Sequence, residues 1–519
     1  MKKGLKILLV LMLFLYFPKV KAITITTDPS MTYGSGYQLV TNTGDFRVYI
    51  EGVGEYDNSQ FAAYKIIDVY YNKSTDSLKY KFTANFQSFL NSSSTYNSVT
   101  IDSFFNMFLG SSVYFSDKYN NITSDNVIAG GYYESHEFGR IMSAYATYIR
   151  TNLLNRSGVE LGSSGKLTSA PLSPYRHTSL AVGTYLILPT SADFVYSVMV
   201  DSIQLKKKNN EWVIDTGNVV SKKSEASIHN TLTQGSESSS DISVKCGDFI
   251  QGKVAVSLPL YPADSSNRRV EIVLGKYSKF SSITADTYKI SGMDIVKENT
   301  TWVLKKNSQK VGTLAYTSGK VRIFLDDIRG LGNNLEITYP VEPLDASTAI
   351  LGNKGNSREV SLVMRDPYVG SSENGDATIN YNYKLFTYAL QITGTTGARF
   401  TITKNGNSIG TVSIGSNGIG ELKGIQAGTY TIEQTTAPPG YAKLPEAKTL
   451  KVGSGGTEVS GKDGYYNITM TNNILAILPY TGSKGTIIFT IAGVLLTLLS
   501  IIILIIYKKK KQKNEIEII

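Results

Sequence analysis

The chain is poor in the residues that build most enzyme centres. Among its 519 residues there is one cysteine, Cys246, and three histidines, His136, His177 and His229. A single cysteine excludes an intrachain disulfide framework and a cysteine-rich zinc site. The histidines stand far apart and lack HExxH spacing, which argues against a metallohydrolase. Neither GxxxxGK[ST] nor GxSxG occurs, so the commonest phosphate-binding and acyl-transfer signatures are missing. Proline (14) and tryptophan (2) are scarce, whereas glycine (46) and tyrosine (34) are plentiful. Tyrosine with abundant Thr, Val and Ile favours strands, and glycine favours the turns between them.

A surplus of acidic charge is also absent. The formal net charge is +10, which read alone suggests a partner such as nucleic acid. Its distribution argues otherwise. Residues 1–22 hold five lysines and no acid, and residues 482–519 hold six lysines and two acids. Between these ends, 41 basic residues face 40 acidic ones, so the body of the protein is nearly neutral. Nucleic acid is not an expected partner.

The two ends have the form of export and membrane signals. Residues 1–22 begin with lysines, continue through the apolar run Ile7–Phe17, and place Val20 and Ala22 at small-residue cleavage positions. The run is too short to span a bilayer at ~1.5 Å per residue, so a signal peptide cleaved after Ala22 is expected. Near the other end, Leu478-Pro479-Tyr480-Thr481-Gly482 is followed by the apolar stretch Ile487–Tyr507 and then by Lys508–Lys511. A helix over 487–507 would measure about 31 Å, enough to cross the hydrocarbon core. The lysines orient its end toward the cytoplasm.

This order of motif, apolar span and basic tail resembles the LPxTG sorting signal of Gram-positive surface proteins. The resemblance implies that a sortase cuts between Thr481 and Gly482 and holds Thr481 as a thioester. An amine then takes the acyl group. Sortase and peptidoglycan are thus implied as partners, with the mature protein outside the cell and attached to the wall.

Between the ends, short strand-like runs alternate with Ser/Asn/Gly turns. Leu78, Tyr80 and Phe82 alternate with Lys79 and Lys81, as in a half-buried strand. Phe46–Glu51 and Tyr185–Pro189 are rich in strand formers. Ile141, Tyr145, Tyr148 and Ile149 recur at helical spacing and predict a helix over Glu137–Leu154. The polar stretch Ser221–Ser240 reads as a boundary. The expected organisation is a signal peptide (1–22), an N-terminal domain (23–222), a middle β-sandwich (223–383), a third domain (384–475) and a sorting signal (476–519).

Several stretches resemble sortase-assembled pilins. Ala63–Ile66 and Val182–Leu188 resemble strands of their N-terminal domain. Val244–Tyr261, Leu335–Pro340 and Asn353–Pro367 resemble the second domain. Tyr430–Tyr441, YTIEQTTAPPGY, resembles the YxLxETxAPxGY E-box of Cna-B domains, matching at Tyr430, Thr435, Ala437, Pro438, Gly440 and Tyr441. The resemblance implies an all-β fold of tandem immunoglobulin-like or Cna-type sandwiches in a rod. It implies a fimbrial subunit with other pilin subunits and host surface proteins as further partners. It implies no cofactor, no metal and no enzymatic activity.

The resemblance also implies a place for Lys–Asn isopeptide bonds. That chemistry needs a neutral buried lysine as nucleophile, an asparagine amide as electrophile and a protonated carboxylic acid as proton shuttle. In the third domain the lysine position is Gly394 and the acid position is Gln434. Glu433, one residue early, belongs on the opposite face of a strand. The asparagine remains, as Asn472 or Asn473. An isopeptide bond is therefore not expected there. In the middle domain, Ser227–Asn230 stands at the lysine motif and Val363–Pro367 at a later signature. The N-terminal domain offers Lys65 with no identified partner. Backbone pilins present an acceptor lysine in a VYPK motif, and Asn218–Lys222 is the matching stretch. Lys222 is the candidate acceptor, although the tyrosine and proline are missing. The rival readings are a non-polymerising wall-anchored adhesin or minor pilin, and a wall-anchored enzyme.

Overall fold

The computed structural model describes residues 22–49, 59–109, 137–152, 158–160, 163–166, 174–191, 194–221, 223–262, 265–276, 287–368, 376–475 and 484–516. Strands dominate them. They form two compact units. One takes in Met1–Ile242, Gly247–Leu344 and Asn356–Leu385, and the other Ser243–Cys246, Asp345–Gly355 and Phe386–Ile519.

The long strand Gln60–Asn72 organises the N-terminal part of the first unit. It pairs antiparallel with Gly183–Ser191, Gln38–Val40 and Ser77–Phe82. The strand Ser77–Phe82 has the expected alternation, with Lys79 and Lys81 exposed and Phe82 buried. A second sheet joins Gly217–Val220, Thr43–Tyr49, Pro174–Ala181 and Ser163–Lys166. Helices Ala84–Ser92, Ile101–Leu109 and Glu137–Asn152 cover the first sheet. Only the third matches an expected helix. Thr83 caps the first, its side chain accepting a hydrogen bond from the Phe86 amide at 3.4 Å. Their inward faces supply Phe86, Phe89, Phe104, Phe138, Ile141 and Tyr145 to an aromatic-rich core.

Among the described residues, the rest of the first unit forms two larger sheets. Ser227–Gln234, Ile250–Ser257 and Asn334–Val341 are neighbours in one. Ala377–Phe386, Asn356–Met364, Val270–Lys276 and Lys320–Leu325 are neighbours in the other. From Ile250 to Val256 the strand Ile250–Ser257 alternates between buried and exposed residues, the pattern of a sheet with one face in the core.

This part is joined to the N-terminal core by buried contacts. Arg150, on the helix Glu137–Asn152, lies 2.9 Å from Asp366, and the two side chains are 5% and 1% exposed. Arg150 also donates to the Pro189 carbonyl. Tyr368 is buried within the N-terminal aromatic core, and its hydroxyl accepts from the Val198 amide at 3.0 Å. Isolated buried charges are costly, so Arg150 and Asp366 depend on one another.

The second unit contains two sheets. Ile419–Ile425, Tyr388–Gly394 and Tyr465–Met470 form one; Asn407–Ser413, Arg399–Lys404, Gly428–Thr436 and Lys448–Val452 form the other. Leu390, Ile392, Phe400, Ile402, Tyr430 and Ile432 meet in its core. The C-terminal helix Lys484–Ile516 is separate in character. Its stretch Gly485–Gln512 is long and apolar enough to cross a membrane, and none of it is buried by protein.

Candidate functional site

The sorting motif Leu478–Gly482 and Lys222 lie outside the described residues, as does most of the signal segment. The structure describes their surroundings. Ala22 is exposed, and the next residue is already tied down, the Ile23 amide donating to the Trp212 carbonyl at 2.8 Å. On one side of position 222, Ser221 is fully buried and its amide donates to the Tyr49 carbonyl at 2.7 Å. On the other, Lys223–Ser224 pairs with Val195–Tyr196. The Lys223 ammonium sits 4.2 Å from the centre of the Phe194 ring, a cation–π contact.

The strand leading to position 222 is held by Asp201. This buried carboxylate accepts from the Asn218 amide at 2.6 Å and from the Ser202 amide at 2.7 Å. Burial pushes its pKa up to about 7, with nearby Asp215 adding to the rise, although the two amides favour the charged form.

The E-box positions meet in the second unit. Gly428–Thr436 alternates so that Gln434 points inward, 1% exposed, while Glu433 is exposed. Asn472, just beyond the last strand, is buried opposite it. The two amides pair reciprocally. Gln434 Nε2 donates to Asn472 Oδ1 at 3.0 Å, and Asn472 Nδ2 donates to Gln434 Oε1 at 2.8 Å. Gln434 Oε1 also accepts from the Leu444 amide at 2.8 Å, and Asn472 Nδ2 donates to the Ala442 carbonyl at 2.7 Å. The neighbouring asparagine is used through its backbone, the Asn473 carbonyl accepting from the Ala442 amide at 2.9 Å.

Gly394 ends the strand Tyr388–Gly394, opposite Met470. A Cβ on it would stand 2.6 Å from the Met470 carbonyl oxygen. A lysine there would force the two strands apart. This site therefore joins two neutral amides and a glycine, a set with neither a nucleophilic amine nor an acid.

The middle part of the first unit has a second buried polar cluster. Asn230, in the Ser227–Gln234 strand, accepts from the Tyr339 hydroxyl at 3.0 Å, and Tyr339 lies 3.3 Å from the Tyr383 hydroxyl. Asn230 Nδ2 has no partner among the described residues. Burial raises the pKa of both tyrosine hydroxyls, that of Tyr339 well above its ordinary value. His229, beside Asn230, faces outward against Tyr381. Lys65 is held by Asp68 at 2.8 Å. Among the described residues no group of acidic, histidine or cysteine side chains could hold a metal ion.

Sequence reasoning did not find Asp201, the Arg150–Asp366 pair or the tyrosines around Asn230. Each depends on residues brought together from distant parts of the chain, for which no local pattern exists.

Comparison with known proteins adds two sequence matches and a fold. Residues 392–465 match the SpaA prealbumin-like fold domain. Residues 473–515 match the LPXTG cell wall anchor motif. No curated protein matches the chain in sequence. Among solved structures, the T6 backbone pilin of serotype M6 Streptococcus pyogenes is 15% identical, with 79% of this chain and 80% of that one covered and a TM-score of 0.53. The major pilin SpaA of Corynebacterium diphtheriae is 9% identical, with 82% and 99% covered and a TM-score of 0.44.

These findings define a wall-anchored surface protein with a multidomain, pilin-like β fold. The chain carries an LPXTG cell wall anchor motif over 473–515, and the helix Lys484–Ile516, apolar enough to cross a membrane, fits the membrane-spanning part of that sorting signal.

Proposed function

We propose that the protein is a structural pilus subunit that a sortase joins to the wall and to other subunits. The anchor match over 473–515, following a pilin-like fold, carries this reading. In it, the signal segment is removed after Ala22. Sortase recognises Leu478-Pro479-Tyr480-Thr481-Gly482, breaks the Thr481–Gly482 bond and holds Thr481 as a thioester. The Lys222 ε-amine of another copy attacks that thioester, forming an amide and releasing the sortase thiol. The fixed backbone on both sides of position 222 supports Lys222 as the acceptor, and the engagement of Lys223 with Phe194 disfavours its neighbour. The protein acts as a substrate and building element rather than as an enzyme. Its domains divide near residues 222 and 383, and host surface proteins are its targets.

In this reading the third domain carries no isopeptide bond. The closed Gln434–Asn472 pair supports this, because both amides are already satisfied by neutral partners. Mass mapping of the peptides from residues 384–475 of the digested mature protein tests it, since each isopeptide bond joins two peptides and removes one ammonia.

The second reading is a non-polymerising wall-anchored adhesin or minor pilin. The missing tyrosine and proline in Asn218–Lys222 favour it. Immunoblots of wall extracts with and without sortase distinguish the two. A backbone subunit gives a high-molecular-weight ladder that disappears without sortase and in Lys222→Ala. A single wall-linked band supports the second reading, and a ladder that survives Lys222→Ala removes Lys222 as acceptor.

A further inference from the structure

The first strand of the second unit's β-fold, Tyr388–Gly394, lies beside its last strand, Tyr465–Met470. They run parallel over six residue pairs, from Ala389 opposite Tyr465 to Gly394 opposite Met470. Tension applied where the chain enters at 388 and leaves at 470 pulls them in opposite directions along their length. Their evenly spaced hydrogen bonds are then loaded together rather than one after another. Beyond Met470, the Asn472 amide donates to Thr395 Oγ1 at 3.1 Å, and its side chain closes on Gln434. The absence of a side chain on Gly394 lets the two strands meet at this end. All of these links are hydrogen bonds.

The anchor follows directly, over 473–515. Any load on the protein reaches the wall through these strands. We infer that this domain has a mechanical function, as an element that opens under tension, releases chain and closes again. This rests on the reading that no isopeptide bond forms within it. Its roughly 80 residues extend to about 270 Å at ~3.3–3.6 Å each, a gain of about 250 Å once the roughly 20 Å that the paired strands already span is subtracted.

The test is single-molecule stretching of the full mature chain, held near its two ends. The expected result is one event of about 250 Å that recurs after relaxation. Thr393→Cys with Thr469→Cys, a facing pair in this register, is made with Cys246→Ser. Oxidised, this variant should lose at least nine-tenths of that lengthening; reduced, it should regain it, which also shows that it folds. Gln434→Leu should lower the opening force and leave the length unchanged. The inference fails if the wild type yields no such event, or if the event is indifferent to the engineered disulfide. Mass mapping of the peptides from residues 384–475 separates the two causes of failure. A cross-linked pair lacking one ammonia there means that an isopeptide bond is present in this domain, whereas an unmodified domain that does not lengthen overturns the mechanical inference alone.

Discussion

The two buried polar clusters differ in how completely they are closed. Around Gln434 and Asn472, the side-chain amides satisfy each other and two backbone groups. Around Asn230, Tyr339 and Tyr383, the amide oxygen has a partner, but its nitrogen has none among the described residues. The first behaves as one unit, in which losing either amide strands several partners at once. The second already carries part of the cost of an unmet hydrogen bond, so its members have less to lose.

Four measurements would break or sharpen this contrast. The charged pair Arg150–Asp366 sets the upper end. Arg150→Met should leave Asp366 as an unpaired buried charge and cost about 3–5 kcal/mol in denaturant unfolding. Gln434→Leu should cost about 3 kcal/mol by the same measurement, because Asn472 and the Leu444 amide both lose partners. A loss under ~1 kcal/mol would show that the amide pair is not a unit.

The third concerns pH. Asp201 keeps its proton up to about 7 in the folded protein, against an ordinary value of 3.8. Between these values the unfolded chain loses a proton that the folded one retains, so this group's contribution to stability falls as pH rises. Acidification from pH 8 to pH 5 should therefore stabilise the wild type by about 2 kcal/mol more than Asp201→Asn, measured by unfolding at each pH. Asn230→Leu is the mildest. It should cost about 1 kcal/mol or less, and a loss matching that of Gln434→Leu would erase the contrast.

Much of the β architecture was legible because it is written locally. Tyr185–Pro189, Leu335–Pro340 and Gly428–Ile432 all fall within observed strands. The two-residue period also placed Gln434 and Glu433 on opposite faces. The helix expected over Glu137–Leu154 is observed as Glu137–Asn152, with Leu154 outside the described residues. The helices Ala84–Ser92 and Ile101–Leu109 escaped notice. Their phenylalanines suit strands as well as helices, and only packing against Tyr145 and Phe138 decides between the two. The amide pair was half-visible, because the E-box located Gln434 but Asn472 and Asn473 stood as equals. Burial distinguishes them, since Asn472 turns its side chain inward.

The contacts of Asp366 and Tyr368 bear on the order in which this exported protein can fold. The N-terminal core includes Tyr368, which follows the N-terminal strands by well over a hundred residues. A chain crossing the membrane from its N-terminus delivers the core's early strands and helices first, while Tyr368 and the partner of Arg150 are still inside. The aromatic core stays incomplete through most of the passage. The early segments thus emerge ahead of the residues that complete their core, and closure waits for a part of the chain that arrives late.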